Sequence, residues 1–407
     1  MDTLREFLAA GCVHSILRAN ERTSPAGVAL VANGRSVGWA ELRAEVEDVR
    51  ASLVAAGVVR GSIVALLEGR AEREVALYFA IASIGAVAAP LDPALSATEL
   101  RRICADCRPT FACSQPETAA RLREVISAAG LRTKVLEDIA AGPAGEPAVA
   151  SGKRTAPASW DDVHLIVYAE GRAAEPRGVM ISHRQAVLNA AAASAGLGIR
   201  RQDRVLLAYS AADPFRFQWL VTLWIQQATV ALAPVRAGTF DLGPDDLPDL
   251  SVIVADPVAL EAALASGARL SNAQRVILSC ADSAVQQRGA AVAAAGRFGL
   301  AGVSTALLVA ETGPVLLVAR EVERNAHPNM LGTALPGCDI ALIDDGGREA
   351  GPGGVGRIHV RSPMVAAGYC GSAEVGVAAT GLHGVRTGIL AWRTGEGILH
   401  PAPAAAD

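Results

Sequence analysis

Lysine is nearly missing from this chain. Of 37 basic residues only Lys134 and Lys153 are lysines, and the remainder are arginines. A chemistry that needs a lysine therefore has two candidates. Aromatic residues are also scarce, at 4%, and the formal net charge of −4 excludes a broadly basic surface for nucleic acid or a polybasic membrane patch. No basic stretch followed by an apolar core opens the sequence MDTLREFLAAGC, so no signal peptide is expected. The uncharged run 75–91 holds Ser83, Gly85 and Pro90, and it is short of the ~20 apolar residues that span a bilayer. The seven cysteines are an odd number and scattered, which suits a reducing cytoplasm better than a disulfide framework. Cys104 and Cys107 form a CxxC, but no further ligands stand at zinc spacing, so buried helical thiols are expected and no metal site.

What is present is α/β patterning. With 407 residues the chain can build two or three units with sizeable cores. An amphipathic stretch at 3–19 precedes strand-like VALVAN (28–33), a helical pattern at 39–56, SIVALLEG (62–69), a helix at 72–84 and AVAAPLD (86–92). Short apolar runs alternating with helices of ten or more residues imply βαβ units and parallel sheet. The Pro/Gly/Ala-rich 141–160 reads as a linker or mobile loop. A second alternating stretch fills 161–325, with strands at 164–169, 204–210, 228–234, 251–255 and 275–280. From 326 to 407 the pattern turns to short strands and glycine-rich turns, a small β-rich subdomain. The expected boundaries are 1–140, 141–160, 161–325 and 326–407.

The stretch VYAEGRAAEPRGVMISHR (167–184) has the form of a strand, a loop and a helix start carrying basic residues. Backbone N–H groups and the dipole of a helix start favour anions, so this is a general recipe for phosphate. It contains neither GxxxxGK[ST] nor GxGxxG. Six further segments accompany it: VGWAEL (37–42), GAVAAPLDP (85–93), RFGLAG (297–302), GTALPGCDIALID (332–344), GRIHVRSPMVAAGYCGSAE (356–374) and VRTGIL (385–390). In that order they resemble the signature segments of the adenylate-forming, AMP-binding superfamily, with a lean towards acyl-CoA synthetases and fatty acyl-AMP ligases.

The resemblance implies an α/β fold of two helix-flanked sheets plus a small β-rich subdomain. It also implies attack of a carboxylate on the α-phosphate of ATP, giving an acyl adenylate, with Mg²⁺ as companion and transfer to a thiol after a C-terminal lid rotates. The nucleotide contacts it carries over are Gly171, Arg172, Arg177, Gly178, Phe298, Gly299 and Thr387. Much else departs from it. Ala169, Glu170, Arg172, Ala173 and Ala174 replace the loop's hydroxyls and a glycine, and Arg177 stands for the family lysine. A glutamate facing a phosphate at 4 Å would be repelled by about 4 kcal/mol at an effective dielectric near 20. On the RFGLAG match Gly302 stands where the family has its magnesium glutamate, with Glu311 nine residues on. Ile389 stands where the family has its ribose-binding aspartate, unless the register shifts to the second RTG and Glu396.

The chain ends at Asp407, about where that family's lid and its catalytic lysine begin, so no catalytic residue is carried over. The expectation that follows is a catalytically degenerate homologue, acting as an accessory protein that binds an acyl group, a carrier protein or an active paralogue, with no nucleic acid and no membrane span. The alternative is an acyl-AMP or acyl-CoA ligase, using ATP and Mg²⁺, whose lid comes in trans. His183 beside Ser182 reads as a helix start, and Asp213 with Arg216 as a surface salt pair.

Overall fold

The computed structural model describes residues 7–32, 34–68, 70–137, 139, 158–168, 177–210, 215–236, 239–240, 249–265, 270, 273–281, 288–297, 299, 302–327, 329–371 and 384–402. In chain order the strands begin with β1 (Val28–Ala32), β2 (Arg35–Gly38), β3 (Ile63–Leu67), β4 (Val87–Pro90), β5 (Phe111–Ser114), β6 (Lys134–Glu137), β7 (Val163–Val167) and β8 (Val179–Ser182). Then come β9 (Arg204–Ser210), β10 (Thr229–Arg236), β11 (Thr239–Phe240), β12 (Val252–Ala255), β13 (Arg275–Ala281), β14 (Gly302–Val309) and β15 (Gly313–Ala319). The last are β16 (Thr333–Ala334), β17 (Asp339–Ile343), β18 (Val355–Arg361), β19 (Gly368–Tyr369), β20 (Val385–Arg393) and β21 (Leu399–Pro401).

They form three sheets. One runs β19-β8-β7-β4-β3-β5-β6, another β16-β15-β14-β13-β12-β9-β10-β1-β2 with β11 beside β10, and the third is the antiparallel β17-β18-β20-β21. This is the expected α/β architecture of two helix-flanked sheets and a small β-rich unit. Sheet membership does not follow chain order, however. β1 and β2 from the first forty residues complete the sheet built mainly by 204–319, while β7 and β8 join the sheet built by 63–137. The segments 1–140 and 161–325 therefore interlock by exchanging strands. Most of 141–160 lies outside the described residues.

Burial explains the helix positions. The Ala71–Ile84 helix has almost no amphipathic contrast, and Val75, Leu77, Tyr78, Phe79, Ile81 and Ile84 on all its faces are buried. A helix apolar all round belongs inside, and one apolar cluster joins it to Phe217 and Trp224 of the wholly buried Phe215–Trp224 helix and to Val187 of His183–Gly196. These three helices form the layer between the two large sheets. The Ala97–Cys107 helix is different: Ser96 and Glu99 make a capping box, and Leu100, Ile103, Cys104 and Cys107 form its single buried face. The CxxC thiols are thus core residues, with burial pushing Cys104 up to about 11, and no group of three metal-ligating side chains exists among the described residues. The expected amphipathic helix at 3–19 is interrupted at 11–14, and its regular part is Ser15–Thr23. No described helix is long and apolar enough to cross a membrane.

Candidate functional site

Parallel strands carry ligands at their C-terminal ends, where loops leave the sheet. Two such ends meet here. β7 runs through Val167 into Tyr168, after which the chain re-enters at Arg177 and Gly178 and turns back as β8. β14 lies parallel to β13 and ends at Val309, followed by a short turn, Ala310–Thr312, before β15 returns. β19 pairs with β8 and spans the gap between the sheets: the Tyr369 hydroxyl donates to Glu311 Oε1 at 2.9 Å. The guanidinium carbon of Arg177 sits 4.1 Å from the centroid of the Tyr369 ring, a cation–π contact. A cation, a phenol and a carboxylate are thereby stacked at the junction of two sheet edges. Burial, and next the Glu311 carboxylate, push the Tyr369 phenol above its ordinary range, so it stays a donor.

The start of the segment that leads into β8 is clamped from behind. Asp106 Oδ2 accepts from the Gly178 N–H at 3.1 Å and from the Tyr168 hydroxyl at 2.7 Å. Gly178 has no room for a side chain, since a Cβ there would lie 2.7 Å from Tyr168 Cζ and 2.8 Å from Ile166 Cγ2. Ser182 Oγ accepts from Gln185 N–H at 3.2 Å and caps the following helix, as the sequence suggests. His183 is more than a helix start, being wholly buried with its Nδ1 accepting from the Val13 N–H at 3.2 Å.

The seven nucleotide positions expected from the resemblance separate in space. Arg177 and Gly178 join the Glu311 cluster, while Gly171, Arg172 and Phe298 fall outside the described residues. Gly299 precedes β14 at its N-terminal end, because Gly302 is the first residue of that strand and pairs with Arg275 at the start of β13. Seven steps of strand, roughly 23 Å, separate Gly302 from Val309. Gly302 therefore stands at the opposite sheet edge from Glu311. Thr387 is buried in the third sheet, where its hydroxyl donates to Ile358 O (3.0 Å) and accepts from Ile389 N–H (3.2 Å).

Ile389 packs on the inner face of that sheet with Leu307, Val309 and Ile358. The alternative register does not arise: Arg393 pairs with Leu399, and Thr394, Glu396 and Gly397 form the turn of the β20–β21 hairpin. Arg216 is likewise not on the surface; it pairs with Glu74 on the Ala71–Ile84 helix, both almost fully buried. Lys134 lies on the edge strand β6 and donates to Ala56 O at 2.9 Å, away from Glu311.

Sequence reasoning named Glu311 only as a carboxylate nine residues beyond the matched motif, and missed Tyr369 and Asp106. A signal for Glu311 existed. Eight strand residues must run before the turn, and VAETGP (309–314) follows such a run, whereas RFGLAG precedes it.

Residues 17–370 match the family of AMP-binding enzymes. The chain belongs to that family. It is 26% identical to novobiocin biosynthesis protein H of Streptomyces niveus over 93% of this chain, and spans 63% of that protein, less than two-thirds of its length. It is 27% identical to indoleacetate–CoA ligase of Aromatoleum aromaticum over 90% of this chain and 73% of that protein. Among solved structures VinN superposes with a TM-score of 0.78 at 22% identity, covering 96% of this chain and 98% of that one. That likeness bears on the fold.

Proposed function

We propose that this AMP-binding chain binds ATP with magnesium and a carboxylic acid and forms an acyl adenylate, in the manner of ligases that activate acids for transfer to a thiol. The observation that carries the reading is Glu311 at the C-terminal end of β14, held by Tyr369 beside Arg177. Magnesium takes oxygen ligands and commonly keeps only one or two carboxylates beside substrate phosphates. The Glu311 carboxylate, with Oε1 held by a phenol, supplies one such ligand. Bound there, the ion would neutralise charge on the phosphates as the acid's oxygen attacks. Arg177 is placed to meet phosphate oxygens, and Tyr369 holds the carboxylate in position. The ribose side does not fit the family pattern, because Ile389 offers no acceptor and packs in an apolar core.

Binding and turnover separate this reading from a second one, an accessory role for a degenerate site, which Ile389 and the distance of Lys134 favour. Titration of ATP with and without magnesium, together with pyrophosphate release in the presence of arylacetic, cinnamic and alkanoic acids, tests both. Magnesium-dependent binding with release for at least one acid supports the ligase. Magnesium-dependent binding without release supports an accessory role, holding nucleotide or acyl group for a carrier protein or an active paralogue. Absence of any magnesium-dependent binding contradicts the ligase reading.

A further inference from the structure

The turn that carries Glu311 is short. It is three residues of 3-10 helix between two strands whose pairing shifts register just before it, at Leu307 and Val309. Such a turn does not fix a side chain by itself. Its order comes from the His183–Gly196 helix, which presents two amides one helical turn apart.

Asn189, wholly buried, donates from Nδ2 to Thr312 O at 3.0 Å and to Val315 O at 2.7 Å. Gln185, 1% exposed, donates from Nε2 to Glu311 O at 3.4 Å, and Ala366 N–H donates to the same oxygen at 2.7 Å. Two carbonyl partners fix which end of the Asn189 amide faces the turn, since only the nitrogen can donate. Gly313 completes the fit: its φ is +96°, and a Cβ there would come within 2.9 Å of Asn189 Cγ. The hairpin is thus seated directly on the Asn189 amide.

This seat carries a penalty. Asn189 Oδ1 and Gln185 Oε1 are buried and have no hydrogen-bond partner among the described residues, and buried polar atoms left unpaired are unfavourable. Two such amides under one turn are better accounted for by the geometry they impose than by stability.

We infer that Asn189, assisted by Gln185, is a positioning residue that fixes the Glu311 carboxylate in the orientation in which it receives magnesium. The inference rests on the reading of Glu311 given above. Asn189 touches neither metal nor nucleotide and acts through the backbone of Thr312 and Val315. Groups that orient a metal ligand commonly affect metal affinity by about 10- to 100-fold when removed.

Two readouts on the 407-residue protein separate the inference from the reading beneath it. The first is hydrogen exchange of the amides at 309–316. Asn189→Ala is expected to raise their exchange by about tenfold while exchange in β12 and β13 holds, because local opening reports local support. The second is titration of magnesium into the protein with ATP. Asn189→Ala is expected to weaken the magnesium dependence by about tenfold and to add nothing in a Glu311→Gln background. Gly313→Ala, which presses on the same amide from the other side, should reproduce both effects and replaces Asn189→Ala if that variant does not fold. Unchanged exchange at 309–316, or a magnesium dependence that Glu311→Gln abolishes and Asn189→Ala leaves intact, overturns the inference. If wild-type protein shows no magnesium dependence, the metal reading of Glu311 falls, and the exchange readout still decides whether Asn189 supports the turn.

Discussion

At the scale of single residues, Glu311 and Gly178 show how placement decides meaning. Glu311 sits beyond eight residues of strand, so a motif match nine residues early puts the glutamate at the opposite edge of the sheet. Short motifs containing glycine and alanine recur by chance in a chain with 40 glycines, and only the strand length separates the two registers. Gly178 was legible as part of the loop frame. Its reason was not, because Tyr168 and Ile166 at the end of β7 and Asp106 of the Ala97–Cys107 helix converge on it. Gly178→Ala is expected to destabilise the fold by about 1–3 kcal/mol through overpacking, measured as a lower urea midpoint. Tyr369→Phe removes one hydrogen bond to a carboxylate, worth about 1.5–3 kcal/mol. It is expected to weaken magnesium-dependent nucleotide binding by about tenfold or more, measured by titration of ATP with and without magnesium.

Among elements, the helices that follow β3, β8 and β9 were readable as helices but not as a shared layer. Their apolar content is nearly uniform, so periodicity reports burial without a direction. The third sheet was clearer, since CDIALID and GRIHVRS alternate as strands flanking a glycine-rich turn. At the start of the His183–Gly196 helix two core imidazoles meet a half-buried third. His183 stacks on His164 at 4.8 Å between ring centroids, His164 Nδ1 lies 3.0 Å from the Tyr78 hydroxyl, and His14 meets His183 edge-on. Burial lowers His14 to about 4 and His183 to about 3, and lowers His164 as well. Each is bound neutral in the fold and protonates more readily when unfolded. Their stabilisation is therefore complete above the ordinary histidine value near 6.5 and is lost as pH falls towards 4 and then 3. For His183 alone the loss by pH 4 is about 3 kcal/mol. Urea midpoints measured from pH 7 to pH 4 should fall accordingly. His183→Asn, whose amide oxygen can still accept from Val13 N–H, should flatten that fall.

Two sheets interlock by exchanged strands, and a buried ion pair ties the helices between them. Arg216 and Glu74 join the helix after β9 to the helix after β3, with Phe217 stacked on Tyr78 at 4.1 Å beside them. The sequence placed Arg216 near Asp213 because neighbours in sequence are all that a single chain displays; its partner is 142 residues away. Breaking the pair leaves a buried charge, so Arg216→Met is expected to cost about 3–5 kcal/mol. Adding Glu74→Leu should recover most of that loss in the same denaturation assay. The same architecture brings the end of β7 and the end of β14 to one place, where Tyr369 joins Glu311 to Arg177. The most direct measurement is calorimetric titration of ATP into wild-type and Glu311→Gln protein, with and without magnesium. The account predicts that magnesium strengthens binding to the wild type by about tenfold or more and leaves the variant unchanged. Equal affinities in the two proteins with magnesium present would contradict it.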